Sequence, residues 1–183
     1  MHIRDAKIED AKRLIEIYNY YIKNTAITFE YDEVSEDEFI DRMKEIMSFY
    51  PYLVIEDEGQ VQGYAYAHAF YPRTAYSWSC ELSIYLDHHA KGKGYGRKLY
   101  EEIEKALFKM GMTNLYACIS VPEVEDETLT NNSEQFHAHL GFHKVGTFKN
   151  CGYKFDRWYH MIWMEKIINE HVIHPSIKAY KDI

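Results

Sequence analysis

The chain has 183 residues, 46% of them hydrophobic and 16% aromatic, with a formal charge of −8 at neutral pH. That length and apolar fraction suit one compact domain with a sizeable core, and the net negative charge argues against nucleic acid or an anionic membrane as the main partner. Three widely spaced cysteines (Cys80, Cys118 and Cys151) read as thiols in a reducing compartment, and ten histidines are scattered without metal-ligand spacing, so no metal is expected. No apolar run is long enough to cross a bilayer and the first residues do not read as a signal peptide, so the expected location is cytoplasmic.

Taken in chain order, residues 2–5 are a short strand candidate. Ile8, Ala11, Leu14, Ile15, Tyr18, Tyr21 and Ile22 keep a helical stripe, with Glu9 and Asp10 where a first turn favours acids. Residues 25–31 break that period. Ser35-x-x-Glu38 reads as a capping box opening a second helix through Phe39, Met43 and Ile46, which Pro51 ends. Residues 52–56 and 61–68 read as a hairpin about Asp57-Glu58-Gly59. Residues 78–86 are a further strand. Leu99, Ile103, Leu107 and Met110 then recur at helical spacing, and Leu115, Ala117, Ile119 and Val121 alternate as the next strand. Residues 122–132 are acidic and turn-prone, a short helix covers 133–141, and strands at 143–147 and 159–165 finish the sheet. The order predicts a mixed α/β sheet without repeats or an interior linker. A single domain is expected over 1–169, with 170–183 a tail lying over the surface or on a partner subunit.

Between the strand at 78–86 and the following helix lies Ala90-Lys91-Gly92-Lys93-Gly94-Tyr95-Gly96-Arg97-Lys98. Three glycines at alternate positions let consecutive N–H groups turn inward as an anion-binding nest, and the helix N-terminus behind them favours phosphate. A P-loop would need Lys then Ser or Thr after the last glycine, but Arg97 and Lys98 follow Gly96. A dinucleotide fingerprint starting at Gly92 would need glycine where Arg97 stands, and the acidic ribose partner is missing from 116–121. Taken alone, the loop could also be a tight turn joining strand to helix.

The loop does fit the [R/Q]-x-x-G-x-G/A motif of the GNAT acetyltransferases, read as Lys91-Gly92-Lys93-Gly94-Tyr95-Gly96. Ile17-Tyr18-Asn19, Thr25-Ala26-Ile27-Thr28-Phe29-Glu30, Pro51-Tyr52-Leu53-Val54 and Gly63-Tyr64-Ala65-Tyr66-Ala67 precede it in order. Arg73-Thr74-Ala75-Tyr76 and Glu81-Leu82-Ser83-Ile84-Tyr85-Leu86 come next, still ahead of the loop, and Leu140-Gly141-Phe142 and Gly152-Tyr153-Lys154-Phe155 lie beyond it. Over residues 3–167 the sequence resembles the phosphinothricin/methionine-sulfoximine acetyltransferase branch of that superfamily.

The resemblance implies a GNAT fold: a central mixed, mostly antiparallel twisted sheet of about seven strands flanked by helices. It implies acetyl transfer from acetyl-CoA to a primary amine by direct attack, and a homodimer. Glu81 would be the base that receives the amine proton, a role that calls for partial burial to raise its pKa; the other reading is a strand-end glutamate in a salt bridge. His137, in Ser133-Glu134-Gln135-Phe136-His137, would stand where the branch has a histidine near the leaving thiolate, and imidazole can serve there as acid or base.

Backbone groups of Ile84, Tyr85 and Leu86 would meet pantetheine. Lys91, Gly92, Lys93, Gly94, Tyr95, Gly96 and Arg97 would hold the pyrophosphate, and Asn132 or its neighbour Asn131 would add a contact. Phe29, Arg73, Tyr76 and Lys154 would face the substrate, with Arg73 suited to a carboxylate; Phe29 could equally be core. The branch's compact Pro-Asn-x-x-Ser turn is replaced by the acidic 122–132 insertion, Tyr71 replaces a second arginine, and His160 follows Trp158 in place of an acidic residue. These departures argue against phosphinothricin itself as the physiological substrate, and the resemblance implies as acceptor a small amino acid or analogue of the phosphinothricin/methionine-sulfoximine type. The alternatives are a protein N-terminus, a lysine or a polyamine as acceptor, or a non-catalytic acetyl-CoA-binding module.

Overall fold

A computed structural model describes residues 1–90 and 92–183. Seven strands form one sheet: β1 (His2–Asp5), β2 (Tyr52–Asp57), β3 (Gln60–Ala69), β4 (Ser79–Leu86), β5 (Asn114–Val121), β6 (His143–Lys154) and β7 (Arg157–Ile167), in the order β1-β2-β3-β4-β5-β7-β6. The pairings are antiparallel except β4 with β5, which run parallel. Four helices complete the fold: α1 (Ala11–Asn24), α2 (Glu36–Met47), α3 (Tyr95–Met110) and α4 (Asn132–His139).

Alternation along the strands decides which helix covers which face. Leu53, Ile55, Cys80 and Leu82 point to the face covered by α3, where Leu99, Ile103 and Leu107 are fully buried. Tyr52, Val54 and Tyr64 point the other way, against Leu14, Tyr18 and Ile22 of α1 and Phe39 and Met43 of α2. The β2–β3 hairpin closes through Glu58 and Gly59, both at positive φ, the two-residue turn that matches strand twist.

Two expectations shift. Only half of the capping box forms: Ser35 Oγ accepts the Glu38 N–H at 3.3 Å, while the Glu38 carboxylate bonds Arg42 at 2.6 Å. β6 runs to Lys154, not 147, because its exposed residues carry no buried alternation to announce it. It turns into β7 through Phe155 and Asp156, both at positive φ without being glycine. Residues beyond 169 lie back on the same chain. The Lys178 N–H donates to the Met110 carbonyl (2.9 Å), and the Tyr180 hydroxyl to Asp5 (2.7 Å). Among the described residues, no helix is long and apolar enough to cross a membrane.

Candidate active site

β4 and β5 pair only at Ser79–Asn114, Cys80–Leu115 and Glu81–Tyr116. Beyond Glu81 the two strands part, so the β5-facing edge of residues 82–86 has no strand partner there. The deep end of this wedge encloses about 60 Å³, bounded by Ser83 and Ile84, by Cys118 and Ser120 of β5, and by Tyr100 and His137 from the helices. Edge amides and carbonyls left unpaired are what an extended ligand needs if it is to lie as an added strand. Ile84 and Tyr85 are among the residues that line the wedge. The Tyr85 ring is turned into the α1 face against Tyr18 at 4.9 Å, and the Leu86 carbonyl already accepts the Tyr21 hydroxyl at 2.6 Å.

The glycine loop stands above the wedge. Gly92 and Gly94 both take φ of 78°, and Gly94 caps α3 without a side-chain bond, so the first-turn amides of Tyr95, Gly96 and Arg97 face outward unpaired among the described residues. Gly96 packs under Phe136 and Ile84, joining the loop to the wedge. Lys91 lies outside the described residues. The Tyr95 side chain is buried and donates to Asp57 at 2.5 Å, so it anchors the loop to the β2–β3 hairpin while its amide, the group expected to meet the ligand, stays free for one. Lys93 and Arg97 are exposed, Arg97 pairing with Glu101 at 2.8 Å. Asn132 is exposed at the start of α4, whose Ser133 and His137 line the wedge.

Glu81 sits where β4 and β5 divide. Burial pushes its carboxyl above the ordinary glutamate range, and His68, directly opposite in the β3–β4 register with Nε2 at 3.8 Å, opposes that rise. A carboxylate so raised accepts a proton more readily than an exposed one.

His137 is 3% exposed and both ring nitrogens are engaged. Nδ1 lies 2.7 Å from the Ser133 carbonyl, which only accepts, so the proton sits on Nδ1; Nε2 then accepts the Tyr100 hydroxyl at 2.7 Å. Burial lowers the imidazole's pKa, with the Ser133 bond opposing, so the ring is neutral near pH 7. The one ring proton is committed to Ser133 and the basic lone pair to Tyr100, an arrangement that suits a positioning role better than that of acid or base.

Lys154 departs from expectation. It is 3% exposed, and its ammonium donates to the carbonyls of Ile22 (2.7 Å), Thr25 (2.9 Å) and Thr28 (2.9 Å). Three donors on three carbonyls leave none for a substrate. Ile22 is in the last turn of α1, where carbonyls lack intrahelical partners, so Lys154 caps that helix from a distant strand and holds residues 25–28 in place. Phe29, half-buried on the same segment, lies over Gly152 and near Tyr159 (6.3 Å), joining Ala26 and Leu129 in a small cluster. Arg73 and Tyr76 are exposed around a short 3-10 turn, and Arg73 makes no ion pair among the described residues.

Sequence reading missed His68, Tyr100, Ser120 and Asp126. Ser120 Oγ donates to the Ala26 carbonyl at 2.6 Å. Asp126 accepts from Thr128 and Leu129 and orders the acidic insertion, whose Thr128 carbonyl accepts the Ala26 N–H at 3.1 Å. An Asp two residues before Thr is an Asx-turn signal; the pairing of His68 with Glu81 has none. Among the described residues no group of three or more His, Cys, Asp or Glu side chains could hold a metal ion.

Residues 3–163 match the family model of an acetyltransferase (GNAT) domain. The chain is 31% identical over 159 residues to the phosphinothricin N-acetyltransferase of Streptomyces viridochromogenes, covering 87% of this chain and 83% of that protein. The crystal structure of a GNAT superfamily phosphinothricin acetyltransferase from Sinorhizobium meliloti in complex with AcCoA superposes with a TM-score of 0.88 and 35% identity, over 99% of this chain and 96% of that one. A ribosomal-protein-alanine N-acetyltransferase from Brucella melitensis has a TM-score of 0.84 and 32% identity, over 92% of this chain and all (100%) of that one.

Proposed function

This chain belongs to the GNAT acetyltransferase family and is an acetyl-CoA-dependent N-acetyltransferase, and from that premise we propose that it acetylates the primary amine of an amino-acid-sized acceptor at Glu81. Acetyl-CoA supplies the activated acetyl group. The amides of 92–97 hold its pyrophosphate, the open edge of β4 holds its pantetheine, and Asn132 reaches it from α4. The amine nitrogen bonds to the acetyl carbon, its proton ends on Glu81, and the carbon–sulfur bond breaks with sulfur leaving as thiolate. His137 and Tyr100 keep the floor of the wedge neutral and fixed, and Arg73 and Tyr76 stand at the acceptor side.

The observation that carries this reading is that β4 leaves β5 immediately after Glu81, so the raised carboxyl and the unpaired edge share one corner. The test is CoA release across a panel of amines with wild type and Glu81→Gln. The variant is expected to lose about 100- to 10,000-fold in kcat/KM, the range of a positioned acid or base, with its KM for acetyl-CoA little changed. Because burial raises the Glu81 pKa, wild-type kcat/KM rises with pH through a midpoint above the ordinary glutamate value of about 4.3. Full activity in Glu81→Gln would remove the mechanism.

A protein N-terminal alanine is the second acceptor reading, favoured by the likeness to the Brucella melitensis enzyme. Acetylation of an alanine-ended peptide in preference to free amino acids would support it. Tight acetyl-CoA binding without acetylation of any amine would leave a binding module. A homodimer belongs to the same proposal, with the exposed Val145, Phe148 and Trp158 of the β6–β7 edge as its contact; a monomer mass in sedimentation velocity would exclude it.

A further inference from the structure

A cleft of about 520 Å³ opens on the α1/α2 face of the sheet. Tyr18, Phe39, Tyr52, Tyr66, Phe70 and Tyr71 are among its lining residues, as is His68. His68 faces Glu81 across the β3–β4 register, with Nε2 3.8 Å from Oε2. Phe70 stacks at 4.2 Å on Tyr116, the residue opposite Glu81 on β5. The cleft therefore runs up to the corner where the acceptor amine is deprotonated.

Its lining is mainly aromatic, with Arg42 and Glu45 as its fully charged members. Burial raises the pKa of Tyr18, Tyr52 and Tyr66, so their hydroxyls stay neutral across physiological pH. Arg42 is the one permanent cation among the described residues that line the cleft, and its guanidinium already bonds Glu30 at 2.8 Å and Glu38 at 2.6 Å. A phosphinate or a sulfonyl group entering here would meet no unpaired cation, while an aromatic ring would meet ring faces on several sides. Arg73, which follows the lining residue Pro72, is exposed and unpaired among the described residues, so an acceptor carboxylate has a partner outside the aromatic part. The volume lies within the roughly 300–1,000 Å³ typical of small-molecule pockets. A two- or three-carbon polar side chain would leave much of it to water.

We infer that the acceptor carries a large aromatic or apolar side chain, which this cleft takes while the amine reaches Glu81. The inference rests on the amino-acid N-acetyltransferase reading and names the acceptor class within it. A single methylene in an apolar pocket discriminates by about 10- to 200-fold, so a phenyl or indole group that fits is expected to dominate selectivity.

The experiment measures CoA release by the full chain with L-phenylalanine, L-tryptophan and 2-phenylethylamine against methionine sulfoximine and phosphinothricin. The expected result is kcat/KM for phenylalanine or tryptophan at least about tenfold above that for either small analogue. Ile46→Trp, which places an indole in the cleft, should lower that ratio about tenfold. Equal or better use of the small analogues by wild type would overturn the inference and leave the N-acetyltransferase reading standing. So would an unchanged ratio in Ile46→Trp when its melting curve matches wild type. Acetyl-CoA binding with no acetylation in either set would remove both; the wild-type panel decides even where Ile46→Trp does not fold.

Discussion

Replacing Lys154 with methionine keeps much of the side chain's length and removes three hydrogen bonds at once. The ammonium holds the carbonyls of Ile22, Thr25 and Thr28 at 2.7–2.9 Å inside the protein. Each buried carbonyl left without a partner costs about 1–3 kcal/mol. The lower end applies here, because residues 25–28 connect two helices and can relax toward water, so about 3 kcal/mol in total is expected. For a chain of this size that lowers Tm by about 6–12 °C. Phe29 follows the held segment and Ser120 ties it to β5 at 2.6 Å, so the acceptor side should loosen as well. The measurement pairs a thermal melt with initial rates: Tm falls, KM for the acceptor rises, and KM for acetyl-CoA rises less than KM for the acceptor, since the glycine loop is anchored separately through Tyr95 to Asp57. A variant melting with wild type while only the acceptor KM rises would refute the argument and return Lys154 to substrate binding.

Gly63→Ala brings a Cβ to 2.8 Å from the Tyr85 carbonyl oxygen and 3.1 Å from Leu86 Cα, both backbone, so β3 and β4 must separate. A cost of about 1–3 kcal/mol is expected, read as a lower Tm and reduced kcat; a melt within about one degree of wild type would contradict it. Tyr100→Phe removes the donor to His137 Nε2 in a buried site and should cost about 1–3 kcal/mol. It should also raise the His137 pKa toward the ordinary value, followed by NMR of the ring nitrogens; an unmoved titration would show the bond does not hold the neutral form. Burial pushes Asp10 up, but the bidentate Arg4 contact (2.8 Å at both oxygens) and the Lys7 amide outweigh it, so its native pKa lies below the ordinary value. The stabilisation is complete above the unfolded value of about 3.9 and is lost as pH falls through the lower native one. The Tm gap between wild type and Arg4→Met should therefore be full above about pH 5 and shrink on acidification, and a gap constant down to pH 2 would rule out the pair as its source.

Several parts of the site could be read before folding because their chemistry is local. Alternate glycines at 92, 94 and 96 ahead of a helical stripe predict an anion nest at a helix N-terminus, and Gly92 and Gly94 do take the left-handed conformation. Glu81 could be placed in a strand just ahead of that loop. The β6–β7 hairpin could not be read in full. Its exposed residues carry no two-residue alternation, and its turn uses Phe155 and Asp156 where glycine would have signalled one.

Sequence by itself determined the family resemblance, the order of strands and helices, and the place of the glycine loop ahead of a helix, since each depends on residues adjacent or at helical and strand spacing. Only the tertiary structure decided what the long-range partners do. Lys154 meets carbonyls 126 to 132 residues away, Tyr100 meets His137, and His68 meets Glu81 through the register of two strands. A side chain's hydrogen bonds depend on what packing brings within about 3 Å of it, and spacing along the chain carries no record of that. The same lysine that reads as a substrate contact in a motif becomes, once folded, the cap of a helix.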